Sequence, residues 1–217
     1  MDKLLQIYCL DSGFIRYSLG IEQLVSREFG NAIKRIFDIL FSMVVLVILS
    51  PLYVFIAFLV GLDSKGPIIF KQTRVGKDGK YFTIYKFRSM RTKSDPDPEN
   101  YQPISLDDQR ITKLGRFLRA TCLDEIPQFF NVLKGDMSIV GPRPEIGFIA
   151  DRYDAIQRKR LLVRPGITGI WQIKADRSRP IHENINFDFC YIENMSFFLD
   201  LEIIAKTVSV IFRGLKK

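Results

Sequence analysis

The sequence is poor in the residues that build extracellular scaffolds and transition-metal sites. Its 217 residues include only three cysteines, Cys9, Cys122 and Cys190, one histidine, His182, and one tryptophan, Trp171. So few cysteines, odd in number and widely spaced, exclude a disulfide framework and suit a reducing compartment. A single histidine with no close cysteine pair offers no zinc site. Internal repeats and low-complexity tracts are lacking. So is a cleavable signal pattern, because the apolar run starts late and no small-residue cleavage site follows it. The net charge is +8 and the pI about 9.4, which calls for an anionic partner. The basic residues are dispersed, with no nucleic-acid module and no basic-aromatic face, so nucleic acid is not that partner. Acidic lipid and phosphorylated small molecules remain. Any metal is a hard ion held by carboxylates and phosphates, magnesium or manganese.

One long apolar run is present. Ile39 to Leu62 is 24 residues without a charge. A straight helix of that length reaches roughly 36 Å, enough to cross a hydrocarbon core of about 30 Å. Two features argue against a simple crossing. Ser50-Pro51 sits near its centre, where proline removes a helical hydrogen bond that the Ser50 hydroxyl partly replaces. Cations flank both ends, Lys34 and Arg35 before, Lys65, Lys71 and Arg74 after, and such residues hold their side of a membrane in the cytoplasm. A helix broken at Pro51 has arms of roughly 18 Å, suited to a re-entrant hairpin. The alternative is a tilted, kinked spanning helix.

Residues 1–33 are a lead-in without recognisable chemistry. After the apolar run, Ile68–Thr73 and Tyr81–Phe87 read as strands joined across Gly76-Lys77-Asp78-Gly79. Lys86 and Arg88 lie two apart, so on a strand they share a face. Lys93 to Arg110, rich in Asp, Pro and Asn, reads as a loop. Ile111–Ala120 is a basic amphipathic helix that could rest on a membrane and supply Arg119 to a site. Ile146–Leu162 reads as another, with Arg152, Arg158, Lys159 and Arg160 exposed. Residues 184–194 and 197–213 close the chain as helices. The expected fold is α+β and mainly helical: a re-entrant anchor over 34–62 and a catalytic domain over 63–217, with a small β-hairpin and interfacial helices.

The stretch from Thr121 to Pro144 carries the densest chemistry. Pro127 belongs in the first turn of a helix, which places the helix start near Leu123 or Asp124 and its end near Gly135. Asp124 and Glu125 then stand at a helix mouth, where backbone N–H groups favour anions. Pro142-Arg143-Pro144 follows as a stiff loop with one long cation. By themselves these residues leave a helix-capping and a catalytic reading equally open.

Several separated motifs, in order, resemble the bacterial sugar transferase family, the monotopic polyprenyl-phosphate phosphoglycosyl transferases. They are Lys34-Arg35-Ile36-Phe37-Asp38, Ser50-Pro51, Arg74-Val75-Gly76, Lys86-Phe87-Arg88-Ser89-Met90, Leu123-Asp124-Glu125-Ile126-Pro127-Gln128, Asn131-Val132-Leu133-Lys134-Gly135-Asp136-Met137-Ser138, Val140-Gly141-Pro142-Arg143-Pro144 and Pro165-Gly166-Ile167-Thr168-Gly169. The resemblance runs from about Lys34 to Arg213. It implies transfer of a sugar-1-phosphate from a nucleotide diphosphate sugar, usually a UDP-sugar, to undecaprenyl phosphate at the cytoplasmic face of the inner membrane. That step opens O-antigen, capsule or exopolysaccharide synthesis. It further implies a ping-pong route with Asp124 as nucleophile, Glu125 holding Mg²⁺, and Lys86, Arg88, Arg119, Pro142, Arg143, Pro144 and Asp188 about the substrate. The anchor it implies is re-entrant and broken at Ser50-Pro51.

The chain departs from many relatives in having Lys174-Ala175-Asp176-Arg177 after Trp171-Gln172, and Met195 before Ser196. These changes bear on the sugar, not the reaction class. Cys122, with nothing near it to form a thiolate, reads as buried filling. Direct metal-assisted transfer and a silent membrane-surface scaffold stay open beside the covalent route, as does the oligomeric state.

Overall fold

The computed structural model describes residues 21–91, 108–174 and 185–214. Residues 1–20 of the lead-in, most of the Lys93–Arg110 loop, Ala175-Asp176-Arg177 and His182 lie outside them. The described part is mainly helical with a small β-hairpin.

Helix α1 (Ile21–Ile48) and helix α2 (Ser50–Asp63) meet at Leu49. The segments Ala32–Ile48 and Ser50–Asp63 are bent by 64°. Among the described residues no single helix is long and apolar enough to cross a membrane, and only the two arms of this bent pair taken together reach that length and composition. The break follows from Pro51, which lies in the first turn of α2, where its missing N–H costs nothing. Ser50 Oγ donates to Val47 O at 2.8 Å, taking up a carbonyl freed at the break, as the sequence suggested.

Helix α1 is polarised inside out. Asp38 and Ser42 are buried, while Ile36, Leu40, Val44, Val47 and Ile48 are exposed, Val47 by 73%. Those apolar positions recur every three or four residues and so share one face. The polar side is tied to the rest of the molecule. Asp38 Oδ1 accepts from Ile139 N at 3.0 Å. Arg35 donates to Val132 O at 2.7 Å and Leu133 O at 3.1 Å. Lys34 pairs with Asp200 at 2.5 Å. The two cations that read as a charge flank are therefore also a collar fixing α1 to the domain.

Strands β1 (Ile69–Val75) and β2 (Tyr81–Phe87) form the antiparallel hairpin, with Ile69 opposite Phe87 and Val75 opposite Tyr81. Its tip turns through left-handed Asp78 and Gly79. Helices α3 (Lys113–Ala120) and α4 (Gln128–Lys134) follow. Strands β3 (Ser138–Val140) and β4 (Gly166–Thr168) pair in parallel. Helices α5 (Ile170–Lys174), α6 (Ile185–Glu193) and α7 (Phe197–Gly214) complete the chain. The parallel pair was invisible in the sequence. Its strands are three residues long, too short for a periodic pattern.

The two larger of three apolar cores among the described residues hold these elements. Ile84, Val132, Met137, Ile139, Val140, Tyr191 and Ile203 form the larger. The smaller joins Ile56 and Val60 of α2 to Phe87, Leu118 and Ile126. Thus α2 is the floor beneath the turn that carries Glu125.

The single helix expected over 146–162 is not formed. Gly147–Ala150 makes one helical turn, and Gln157–Leu162 winds as a 3₁₀ segment. Asp154 divides them by accepting from Ile156 N at 2.8 Å and Gln157 N at 2.7 Å, a local cap that restarts the winding. In that new register Arg160, expected on the surface, is 2% exposed.

Candidate active site

The Asp-Glu pair does not open α4. Leu123–Glu125 is a 3₁₀ turn of its own, and Pro127 is the residue before α4. The cause is Pro127, which has no N–H to offer the Leu123 carbonyl. That carbonyl takes the Ile126 N–H at 3.3 Å instead, and i→i−3 bonds continue through Phe130 N to Pro127 O at 3.1 Å. Cys122 enters the turn at φ 56°, left-handed for a non-glycine residue. It is half-buried and bends the backbone sharply between α3 and Asp124, so its place is conformational as well as filling.

Around this turn three cations converge from separate elements. Lys86 Nζ of β2 donates to Glu125 Oε1 at 2.6 Å, and Arg143 Nη2 reaches the same oxygen at 3.1 Å. Arg119 of α3 donates from Nε to Ser89 Oγ at 2.8 Å and lies near enough to Asp124 to feel its charge. Behind them, Arg160 is enclosed. It meets Asp188 at 2.7 Å, the Tyr153 hydroxyl at 2.5 Å and the Arg143 main-chain carbonyl at 2.8 Å.

The two carboxylates differ in character. Burial pushes the Asp124 carboxyl up, Lys86 pulls it down and Glu125 pushes it up further, and it ends at about 6. Burial also acts on Glu125, but Lys86 and Arg143, by charge and by hydrogen bonds, outweigh it and hold Glu125 well below the usual carboxylate range. Neighbouring acids with divergent acidities are what a division of roles requires.

The donor set fits a magnesium ion that arrives with a diphosphate. Glu125 Oε1 is taken by Lys86 and Arg143, leaving Oε2 and the Asp124 carboxylate without a hydrogen bond among the described residues. Two carboxylate ligands, completed by phosphate oxygens and water, suit magnesium. Among the described residues no group of three or more His, Cys, Asp or Glu side chains forms a site by itself.

The Pro142-Arg143-Pro144 loop is stiff for reasons beyond its prolines. Pro142 O accepts from Gly166 N at 2.8 Å, and Pro144 O accepts from Arg74 at 3.2 Å. A Cβ on Gly166 would stand 2.1 Å from Gly141 N, so β4 seats against the loop only as glycine. Trp171 lies under Arg143, with the guanidinium 5.8 Å from the ring centroid.

Asp124, Glu125, Lys86, Arg119 and Arg143 are thus brought together, with Pro142 and Pro144 shaping the loop. Arg88 is not beside them. Its guanidinium donates to Pro67 O at 2.5 Å, Val60 O at 2.9 Å and Ser64 O, closing the C-terminal end of α2. The shared cationic face of Lys86 and Arg88 is absent because β2 ends at Phe87. Asp188 is also behind the site and reaches it through Arg160. Sequence reasoning missed Arg160, Trp171 and Asn131. Asn131 accepts from Tyr85 N at 3.1 Å and donates to Thr83 O at 2.6 Å, so it holds β2, and with it Lys86, against α4. Its position in the Asn131–Ser138 motif was the one available signal.

The family model described as bacterial sugar transferase matches residues 29–214. The chain is 43% identical over 189 residues to a UDP-glucose:undecaprenyl-phosphate glucose-1-phosphate transferase of Klebsiella pneumoniae, covering 83% of this chain and 40% of that protein. It is 38% identical over 226 residues to an undecaprenyl-phosphate galactose phosphotransferase of Salmonella typhimurium, covering 96% and 47%. It is 41% identical over 194 residues to the exopolysaccharide production protein PSS of Rhizobium leguminosarum, covering 84% and 96%. The chain therefore spans less than half the length of the first two relatives and nearly all of the third.

Proposed function

Because the chain belongs to the bacterial sugar transferase family, we propose that it moves a sugar-1-phosphate from a UDP-sugar onto undecaprenyl phosphate, opening synthesis of a surface polysaccharide. The observation that carries this reading is the buried Asp124 beside a Glu125 held by Lys86 and Arg143.

The route we propose is ping-pong. An Asp124 oxygen attacks the phosphorus next to the sugar, the bond from that phosphorus to the bridging oxygen breaks, and UMP leaves. The undecaprenyl phosphate oxygen then attacks the same phosphorus. The bond to Asp124 breaks, restoring the carboxylate and giving a sugar diphosphate lipid. A carboxylate attacks a polyanion only if charge is screened, and Arg119 and Arg143 stand where they can do so. Lys86 and Arg143 keep Glu125 ionised and oriented. Magnesium, held by Glu125 with Asp124 beside it, would supply neutralisation of the diphosphate and of the departing UMP. An Asp124 carboxyl near 6 is mostly ionised at neutral pH yet more basic than an ordinary aspartate, which favours nucleophilic attack.

The inside-out α1 and the 64° bend support a re-entrant anchor, with the domain on the cytoplasmic face. Exposed Phe117 of α3 and Phe198 of α7 support interfacial contact for those helices.

The test is a burst experiment. Purified protein with Mg²⁺ and labelled UDP-sugars, without lipid acceptor, should release UMP in proportion to enzyme and retain label on the protein. Asp124→Asn should abolish both. UMP release that waits for the lipid would mean direct transfer, and none under any condition would leave a scaffold.

A further inference from the structure

A second cationic cavity lies at the far end of α4 from the Asp-Glu turn and shares no lining residue with it. Its volume is about 70 Å³, and it is lined by Lys34, Arg35 and Asp38 of α1, Lys77 of the hairpin tip, Ser138 of β3 and Arg164, with Leu162 and Met195 at its apolar margin. That is several times the roughly 10–15 Å³ needed to admit a single water, room for a group the size of a phosphate.

Charge and hydrogen bonding favour an anion there. Four cations line the cavity against one carboxylate, Asp38, whose Oδ1 is already engaged by Ile139 N. Lys34 is offset by Asp200 and Asp38 offsets one more cation, which leaves a net excess of two positive charges among Arg35, Lys77 and Arg164. Arg164 uses Nε on Gly135 O at 2.9 Å, and its terminal nitrogens have no partner among the described residues. Burial, and after it the charge of Arg164, makes Arg35 easier to deprotonate than usual against the opposing pull of Asp38, and an anion between the two arginines would relieve their repulsion. The second, independent sign is Ser138. Its hydroxyl is 1% exposed, lines this cavity and lacks a hydrogen-bond partner. A buried donor without a partner points to a missing ligand.

We propose that this cavity binds a phosphate group, with Arg164, Arg35 and Lys77 supplying charge and Ser138 a hydroxyl donor. Its position suits two sources. The collar residues stand just before the apolar stretch of α1, and the exposed rings of Phe197 and Phe198 begin α7 beside Met195, so an anionic lipid headgroup can reach it. Free phosphate can enter the same space. The membrane arm rests on the anchoring reading above; the free-phosphate arm does not.

The experiment is a thermal-shift titration of the full chain in neutral detergent, first with inorganic phosphate and then with phosphatidylglycerol or phosphatidylcholine in mixed micelles. Arg143→Gln is the background, so that the Asp-Glu turn contributes little. Stabilisation by phosphatidylglycerol and not by phosphatidylcholine assigns a headgroup; stabilisation by inorganic phosphate alone assigns free phosphate. In either case Ser138→Ala and Lys77→Gln should each weaken binding about tenfold, the loss of one charge-assisted contact. Ser138→Ala removes an unpaired hydroxyl and Lys77 is exposed, so neither should lower the unliganded melting temperature. Binding unchanged in both variants, or no response to either ligand, overturns the proposal.

Discussion

The buried guanidinium of Arg160 donates from Nη2 to the main-chain carbonyl of Arg143 at 2.8 Å, while Asp188 Oδ2 accepts from Nε at 2.8 Å and meets the same Nη2 at 2.7 Å. The cation facing the Asp-Glu turn is thus aimed by a second arginine behind it. Arg160→Met would leave the buried Asp188 without its cation, at a cost of about 3–5 kcal/mol, while Glu145 keeps Ile146 N and the Tyr153 hydroxyl. Arg160→Lys keeps the charge but not the fork, and should fold. We expect this variant to raise KM for the nucleotide sugar about tenfold, with a smaller effect on kcat. A KM matching wild type would remove Arg160 from any positioning role.

Asp124→Asn should abolish the UMP burst and also stabilise the fold. The Asp124 carboxyl is raised from 3.8 to about 6, so between those values the folded chain binds the proton more tightly than the unfolded one. That contribution to stability is fully present below pH 3.8 and lost as pH rises through about 6, a cost of at most about 3 kcal/mol at pH 7.5. In metal-free buffer Asp124→Asn should therefore melt several degrees above wild type at pH 7.5, with the gap closing towards pH 4. A constant gap across that range would mean that Asp124 titrates normally.

Lys86→Met removes the contact at 2.6 Å that keeps Glu125 acidic. The Glu125 carboxyl should rise, and activity should fall about 10²-fold. The loss should be larger at acid pH, moving the acid limb of the rate profile upward, because burial now acts on Glu125 with only Arg143 opposing it. A loss equal at all pH values would show that Lys86 acts on the substrate alone.

The bend at Ser50-Pro51 predicts a topology. In a background lacking Cys9, Cys122 and Cys190, single cysteines at Ile33→Cys and Lys65→Cys should both react with an impermeant thiol reagent from the cytoplasmic side only. Labelling of Lys65→Cys from the opposite side would make α1 and α2 a kinked spanning helix. Pro51→Leu restores a continuous hydrogen-bond ladder and should convert the first pattern towards the second.

Long, strongly patterned features were legible from residue order alone. The uncharged run and its proline declared a broken apolar helix, and the hairpin announced itself by two short strands around Gly-Lys-Asp-Gly. The Asp124–Glu125 pair and Arg143 stood out because a carboxylate pair, a proline-locked loop and a basic chain form a phosphate chemist's set. Short-range competition was harder to see. Asp154 interrupts one expected helix and Pro127 delays another, and both act through single hydrogen bonds that periodicity does not register.

Sequence by itself determined the chemical inventory, the long apolar run and where its helix breaks, because each follows from local bonding and composition. Only the tertiary structure decided which charges meet. It sent Lys86 to Glu125 and Arg88, two residues away, to the end of α2. It buried Arg160 between Asp188 and the Arg143 carbonyl, and turned Lys34 and Arg35 from a flank into a collar. Ion pairs between residues as distant as Lys86 and Glu125 depend on how elements stack, and that is settled by shared apolar cores. In this chain the smaller core, with Ile126 resting on Ile56 and Val60, carries the Asp-Glu turn onto the bent helices.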